Sequence, residues 1–225
     1  ARLAGGQEIV VRHNHQSDGR VEARRREKPA GLHARREKRL PIRKYGDPIL
    51  RAKGKRIEAV DDDIRALAES MLETMHAANG IGLAAQQVGR ALQLTVLDVS
   101  PAEDRPSTLT LNGEPVADLG EAMPLILLNP ILRLSAETDL ASEGCLSFPE
   151  INADIERAIS VEVEAETIEG EKVRVEASGL LSRALQHEVD HLNGILFIDR
   201  MSSASKVSHS SRLKRLQKET QSGME

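Results

Sequence analysis

Two stretches of the chain carry apolar residues at the spacing of a helix. The first runs over 64–75, follows three aspartates at 61–63 that offer N-caps, and ends at Asn79-Gly80. The second runs over 180–192, and Gly194 is its expected end. The pattern therefore predicts two amphipathic helices, one early and one late in the ordered part of the chain.

Other stretches follow the period of a strand. Small apolar residues alternate with glutamates over 161–165 and again over 173–177, which predicts an antiparallel hairpin with one exposed face. The apolar runs 92–99 and 125–128 predict buried strands, the second of them ended by Asn129-Pro130. Helices and hairpins in this order predict an α+β fold, with antiparallel or mixed sheets packed around the late helix.

Composition divides the chain into three parts. Residues 1–39 are rich in arginine and lack apolar periodicity, which predicts a disordered basic extension of unassigned role. An ordered domain is expected over 40–200, with a long surface loop at 101–122 where Pro, Ser, Asn and Gly are frequent. Residues 201–225 form a polar, basic tail that is part helical.

The cysteine, apolar and aromatic content of the chain restricts where the protein can be located and what it can bind. Cys145 is the one cysteine in 225 residues, so no internal disulfide can form and a reducing compartment is expected. No apolar run is long enough for a membrane span, and the three aromatic residues offer little surface for stacking bases. We expect a cytoplasmic protein with no membrane or direct DNA contact.

The late helix carries the sequence His187-Glu188-Val189-Asp190-His191. Two histidines four residues apart project from one face and can share a metal ion, while the adjacent Glu188 can reach a water beside that ion. This is the arrangement of metal-assisted hydrolysis, but a catalytic site usually takes three protein ligands. Two metallopeptidase patterns fail here. In the first, Phe197 stands where a third histidine is expected, and in the second, which needs a glutamate ligand downstream, the first glutamate after His191 is Glu219 in the polar tail.

Cys145 is a candidate for the third ligand, since a thiolate with two imidazoles is a known catalytic set. Spacing alone leaves two alternatives open, a small buried hydrophobe and a cysteine nucleophile. The glycine-rich stretch 80–89 superficially matches a dinucleotide-binding fingerprint, but a helix precedes it and a strand follows, which is the reverse of the required order. There remains a loop whose Gln86 or Gln87 amide can donate hydrogen bonds.

Three motifs together resemble those of the peptide deformylase family. Gly80–Gln87 reads G-x-G-x-A-A-x-Q, Glu143–Ser147 reads E-G-C-L-S, and Gln186–His191 reads Q-H-E-x-D-H. Leu40–Pro48 is also similar to the N-terminus of that family. The resemblance covers roughly residues 40–200, and the order of the three motifs makes it specific.

The resemblance implies a metal held by Cys145, His187 and His191, natively ferrous iron, with zinc, nickel or cobalt able to substitute. It implies a hydrolase that removes the formyl group from N-formylmethionyl nascent peptides and releases formate. A water activated by the metal attacks, and Glu188 is general base and acid. The side chain of Gln87 and the backbone N–H of Leu146 donate to the oxyanion.

The same resemblance implies the surroundings of the site. Ile81, Gly82, Glu143 and Gly144 are expected to bind the substrate, and Glu143 is expected to pair with Arg157. Two other residues of the late helix are not expected to take part in the reaction. Arg183 is interpreted as a snorkelling surface side chain, and Asp190 as a supporting or surface carboxylate rather than a ligand.

Two alternatives to an active deformylase stand beside this prediction. One is a metallopeptidase, and the other is an inactive family member acting as a metal-binding or ribosome-binding module. Intact Glu188 and Gln87 argue against the second, because a binding module needs neither a base nor a preplaced donor. The basic tail is either a solvated terminal helix or, as the resemblance suggests, a segment that docks to the ribosome.

Overall fold

The computed structural model describes residues 39–102 and 104–224, so the predicted basic extension lies, except for its last residue, outside the described part of the chain. The strands are β1 Gly82–Ala84, β2 Leu94–Leu97, β3 Ser107–Leu111, β4 Glu114–Pro115, β5 Leu125–Leu134, β6 Thr138–Gly144, β7 Asn152–Ala158, β8 Ser160–Glu166 and β9 Lys172–Ser178. The helices are α1 Asp62–Ala77, α2 Leu119–Ala122, α3 Gly179–Leu192, α4 Phe197–Arg200 and α5 Ser203–Ser222, with 3₁₀ turns at Pro48–Arg51 and Ala85–Val88.

Antiparallel pairing organises all the strands into two sheets. Seven of them form one sheet in the order β1-β2-β5-β8-β9-β3-β4, and β6 and β7 form a separate hairpin. The predicted hairpin is confirmed, since β8 and β9 pair in register from Ser160 with Ser178 to Glu166 with Lys172. An α+β fold with antiparallel sheets is thereby established.

The helix α3 is buried on every side. Each residue from Leu180 to Leu192 is buried, and the helix contacts strands of both sheets, among them β1, β2, β7, β8 and β9. The predicted end is confirmed, because Gly194 adopts a φ of 73° that is costly for any residue with a Cβ. A helix enclosed in this way holds its polar side chains in fixed positions.

The helix α1 covers the β1 and β2 end of the large sheet. The Asp61 side chain accepts a hydrogen bond from the N–H of Ile64, which confirms the predicted N-cap. Met71 and Met75 are fully buried and pack with the aliphatic side chains of β1 and β2. The helix ends at Ala77, so the glycine-rich segment starts at the edge of the core.

The prediction of a long surface loop over 101–122 is wrong. This segment contains β3, β4 and α2, and β3 pairs with β9 at the edge of the sheet. The segment is polar like a loop although it contains a strand, because an edge strand needs apolar residues on one face only, and here the buried residue of that face is Leu109. The turn between β3 and β4 uses Asn112 and Gly113, both with positive φ.

The predicted end of the strand at Asn129-Pro130 is also wrong, because β5 continues to Leu134. A register shift between Leu128 and Ile131 absorbs the proline as a bulge. Asn129 has a φ of 53°, and its side-chain amide exchanges hydrogen bonds with both backbone groups of Ile57. The local breaker therefore bends the strand without ending it.

The C-terminal helix α5 is longer than the basic stretch that predicted it. None of its residues is fully buried, but Leu213 and Leu216 pack against a buried cluster that contains Phe148 and that Tyr45 also contacts. The helix thus rests on the same part of the molecule as the segment after residue 40. Within residues 39–102 and 104–224, no helix is long and apolar enough to span a membrane.

Candidate metal centre

Cys145, His187 and His191 lie together although they come from distant parts of the chain. Cys145 directly follows β6, while α3 places the two imidazoles one turn apart with ring centroids separated by 5.0 Å. The Sγ of Cys145 lies 3.3 Å from Nε2 of His191, and all three potential ligand atoms lie within 4.8 Å of one another. Both histidines are buried, and the cysteine is half-buried.

The carboxylate of Glu143 is hydrogen-bonded to one ring nitrogen of His187. Its Oε2 lies 3.0 Å from Nδ1 of His187, which leaves Nε2 of the ring for the cluster. The predicted partner Arg157 is confirmed, since its Nε and Nη2 donate to the two oxygens of Glu143 at 2.9 and 3.0 Å. Burial opposes ionisation, but the hydrogen bonds from His187 and Arg157 outweigh it and lower the pKa of Glu143 to about 2.

The interpretation of Arg183 as a surface side chain is wrong. Only 6% of its side chain is exposed, and its guanidinium donates to the Glu143 carboxylate, to the backbone oxygens of Asp139 and Ile155, and to the Asp139 carboxylate. Both strands of the hairpin β6–β7 supply carbonyl oxygens to this guanidinium, so the arginine is satisfied by protein acceptors. Arg183 joins the hairpin β6–β7 to the helix that carries the histidines.

Asp190 lies on the opposite side of the same ion network. It accepts hydrogen bonds from Arg157 at 2.5 Å and from Arg200 at 2.6 and 3.1 Å. Its carboxylate is therefore occupied by two guanidinium groups, as expected for a supporting residue and not for a metal ligand. The network fixes β7, α3 and α4 relative to one another.

Glu188 projects from α3 toward β1 and is only 4% exposed. Its Oε2 is buried and has no hydrogen-bond partner within the part of the chain that the structure describes. Burial raises the pKa of Glu188 to about 7, against the opposing effect of His187. A carboxylate in this state can take up and release a proton near neutral pH.

Burial and the charge on His187 lower the pKa of His191 well below its usual value. A neutral imidazole is the form that binds metals. The ring of Phe197, at the position where a metallopeptidase pattern expects a histidine, lies with its centroid 6.2 Å from that of His187. It packs edge-on against Phe148 and offers no ligand atom.

The two neighbouring glutamines have different roles. The Gln87 Oε1 accepts a hydrogen bond from the N–H of Ala84 at 2.8 Å, which directs Nε2 toward Ser147 Oγ at 3.3 Å and Cys145 Sγ at 3.6 Å. Gln86 instead donates to the carbonyl oxygens of Ala52 and Leu192. Only the Gln87 amide therefore faces the cluster.

A cavity of about 560 Å³ opens in front of the cluster. Nine of the ten residues that the sequence singled out line it, and the exception is His191, which is enclosed behind them. Ile81, Gly82 and Gly144 are among the residues that line the cavity. Glu143 also lines the cavity, but both of its oxygens are engaged with Arg157 and His187.

A family model described as polypeptide deformylase matches residues 39–207. The chain belongs to this family. It is 46% identical to a peptide deformylase of Opitutus terrae over 184 residues, which is 80% of this chain and 94% of that protein. A peptide deformylase of Methylacidiphilum infernorum is 45% identical, over 77% of this chain and 90% of that one.

Solved structures agree with the sequence comparison. Peptide deformylase 1B of Arabidopsis thaliana has a TM-score of 0.70 at 37% identity, over 82% of this chain and 93% of that chain. The peptide deformylase of Thermotoga maritima has a TM-score of 0.60 at 39% identity, over 72% and 97%. The protein is a metal-dependent hydrolase that removes the N-formyl group from nascent peptides, and the peptidase and inactive-module alternatives are not favoured.

Sequence reasoning missed one segment that contacts the site. The N–H of Arg43 donates to Gln87 O at 2.7 Å, the N–H of Tyr45 donates to Ser147 O at 2.9 Å, and Lys44 Nζ donates to Leu146 O at 2.7 Å. The family resemblance of Leu40–Pro48 marked this segment without assigning it a role. Among the other histidines, His76 pairs with Asp98 and His209 lies on α5, while His13, His15 and His33 lie outside the described residues.

Proposed function

We propose that Cys145, His187 and His191 bind one divalent metal ion and that the His-Glu-x-x-His sequence makes α3 the central helix of the active site. Two observations support this. The three side chains form a donor set typical of catalytic metals, and Glu143 occupies Nδ1 of His187, as an orienting partner of a metal-bound histidine does. The residues present therefore fit the metal that the family requires.

We propose ferrous iron as the metal in the cell, with zinc, nickel or cobalt able to replace it. Imidazole and thiolate donors accept all of these ions, so the protein selects by availability and geometry. When bound, such an ion supplies Lewis-acid chemistry, polarising the formyl carbonyl and lowering the pKa of water.

The protein side chains divide the remaining work of hydrolysis. Glu188 takes a proton from the attacking water at Oε2 and returns it to the amine of methionine as the C–N bond breaks. Gln87 Nε2 and the backbone N–H of Leu146 donate to the oxygen of the formyl group as negative charge develops there. Formate and a peptide with a free amino terminus are the products.

The peptide is proposed to bind in the 560 Å³ cavity. Ile81, Gly82 and Gly144 line this cavity, so an extended peptide bound there can meet backbone groups of both segments. Glu143 contributes to the lining through its backbone, because its carboxylate is committed to the ion network.

Metal content distinguishes this assignment from a structural cluster. His191→Ala is expected to bind far less than one metal per chain after anaerobic purification, because two ligands remain of three. The matched control is His209→Ala, which removes a histidine from α5 and leaves the cluster intact. Equal metal content in the two variants would contradict the proposed ligand set.

We further propose that α5 docks to the ribosome, so that the enzyme meets peptides as they emerge. The helix carries five Lys or Arg residues and one Glu, and the side chains of Lys214 and Lys218 belong to its exposed surface. Its apolar residues Leu213 and Leu216 face the domain instead. The basic face is therefore free for a polyanion.

Cosedimentation with ribosomes tests this role without removing the helix. Lys214→Glu with Lys218→Glu is expected to abolish salt-sensitive cosedimentation and to leave turnover of a free formyl peptide unchanged. Lys172→Glu, on the distant strand β9, is the charge control. Cosedimentation that survives the double substitution would exclude α5 as the docking surface.

We propose a catalytic domain over residues 40–200 in a cytoplasmic protein. The single cysteine belongs to the metal cluster, and a reducing compartment keeps its thiol available. Fractionation of cells that carry the protein at its natural level tests the location directly.

A further inference from the structure

One short segment, Arg43–Tyr45, joins the two segments that carry the proposed oxyanion donors. The backbone N–H of Arg43 is bound to Gln87 O, and that of Tyr45 to Ser147 O. Between them, the Lys44 side chain turns into the cavity and donates to Leu146 O at 2.7 Å. The proposed reaction uses neither this ammonium group nor its contact.

The target of Lys44 is a tight turn over Cys145–Phe148. The N–H of Phe148 donates to Cys145 O at 2.8 Å, which closes the turn, and Ser147 O accepts from Tyr45. Phe148 O accepts from the N–H of Ile151 at 3.2 Å, and Leu146 O is held by a side chain instead of a backbone group. All four carbonyls of the turn are therefore fixed.

Residue 146 is held on both sides by these bonds. The peptide bond that contains the Leu146 N–H is fixed through Cys145 O. The next peptide bond is fixed through Leu146 O, which accepts from Lys44. A charged donor at this distance makes a stronger bond than a neutral one, and half-burial of Lys44 keeps water from replacing it. Loss of the ammonium group would free the peptide bond after Leu146 to rotate, and the Leu146 N–H would then be held less firmly in one direction.

We propose that Lys44 is a positioning residue that aims the Leu146 N–H at the developing oxyanion. This inference rests on the proposed role of Leu146 in the reaction. Lys44 is assigned no contact with the reacting atoms, because its Nζ is engaged with the backbone oxygen of Leu146. The effect is therefore on turnover and not on peptide affinity.

Steady-state kinetics with formyl-Met-Ala-Ser separate these effects. Lys44→Met is expected to lower kcat about tenfold, less than the hundredfold or more typical of removing a donor outright, and to leave KM within about twofold. Lys44→Arg retains a charged donor and is expected to recover most of kcat. Lys53→Met controls for the loss of one positive charge, because Lys53 is exposed and, like Lys44, lies before α1. Metal content and the unfolding midpoint are measured on every sample.

The outcomes decide between positioning and other roles. A kcat for Lys44→Met equal to that of Lys53→Met would overturn the proposal, as would a raised KM at unchanged kcat or a loss of bound metal. Failure of Lys44→Arg to recover turnover would overturn it as well. Gln87→Ala is run in parallel: if it keeps full kcat, the proposed oxyanion site itself is wrong, whereas a large loss there with no effect of Lys44→Met rejects the role of Lys44 alone.

Discussion

The Oε2 atom of Glu143 lies 3.0 Å from Nδ1 of His187, while both oxygens of the same carboxylate accept hydrogen bonds from Arg157. One buried side chain thereby ties the proposed metal ligand on α3 to the hairpin β6–β7. Because β6 leads directly into Cys145, this bond also sets the distance between ligands from two distant parts of the chain.

Glu143→Gln should weaken metal binding by about 10- to 100-fold, since the amide orients His187 less firmly and lowers its basicity. Competition with a chelator measures the change. Glu156→Gln, an exposed position on β7, provides the control and is expected to match the wild type. Unaltered affinity in Glu143→Gln would show that His187 does not depend on this carboxylate.

Arg183→Met should lower the free energy of unfolding by about 3 kcal/mol, because it leaves buried acceptors of the β6–β7 hairpin without a donor. Urea denaturation measures the loss. The control is Arg174→Met on β9, whose guanidinium is 54% exposed and whose ion pairs are expected to contribute less than about 1 kcal/mol. Equal losses in the two variants would contradict a buried network.

Gly82→Ala should abolish most activity while the metal stays bound. A Cβ at this position would overlap the Glu188 carboxylate, whose carbon would lie only 2.9 Å away, so the base must move. We expect kcat to fall by about 100-fold or more. Gly223→Ala, where a Cβ has only ordinary contacts, is the control. Retention of full turnover in Gly82→Ala would mean that Glu188 need not occupy its present position.

Asp98→Asn should change the pH dependence of stability. Partial burial favours the acid form, but hydrogen bonds from Ser100 and His76 outweigh it and hold the pKa of Asp98 below its ordinary value. The stabilisation is therefore complete above the unfolded-state pKa of about 3.9 and is lost as pH falls through the lower folded-state value. The unfolding midpoints of wild type and variant should differ at pH 5 and converge below about pH 4. A difference that persists unchanged to pH 2.5 would contradict the assigned cause.

Periodicity alone was enough to predict the helices and strands that bury one face or are buried completely. The helical spacing over 64–75 and 180–192 and the alternation in β8 and β9 each report which residues face the core, and the structure confirms them. The edge strand β3 and the bulge in β5 escaped prediction. Their residues are typical of loops, and pairing with β9 and the contact of Asn129 with Ile57 override that local preference.

The candidate site divides in the same way. His187, Glu188 and His191 are linked by the geometry of one helix, so their relation follows from spacing. Lys44 could not be placed, because its partner is a backbone carbonyl far away in sequence, and Arg183 likewise binds backbone carbonyls of β6 and β7 in addition to two carboxylates. A carbonyl carries no residue identity, and no motif can record such a contact.

The central claim is that Glu188 is the proton carrier of a metal-dependent deformylation. The most direct measurement is formate release from formyl-Met-Ala-Ser by wild-type protein and Glu188→Gln, both purified without oxygen, with metal content determined on the same samples. The account predicts that both bind about one metal per chain and that the variant loses kcat by about 100-fold or more. Undiminished formate release by a fully loaded Glu188→Gln would contradict it.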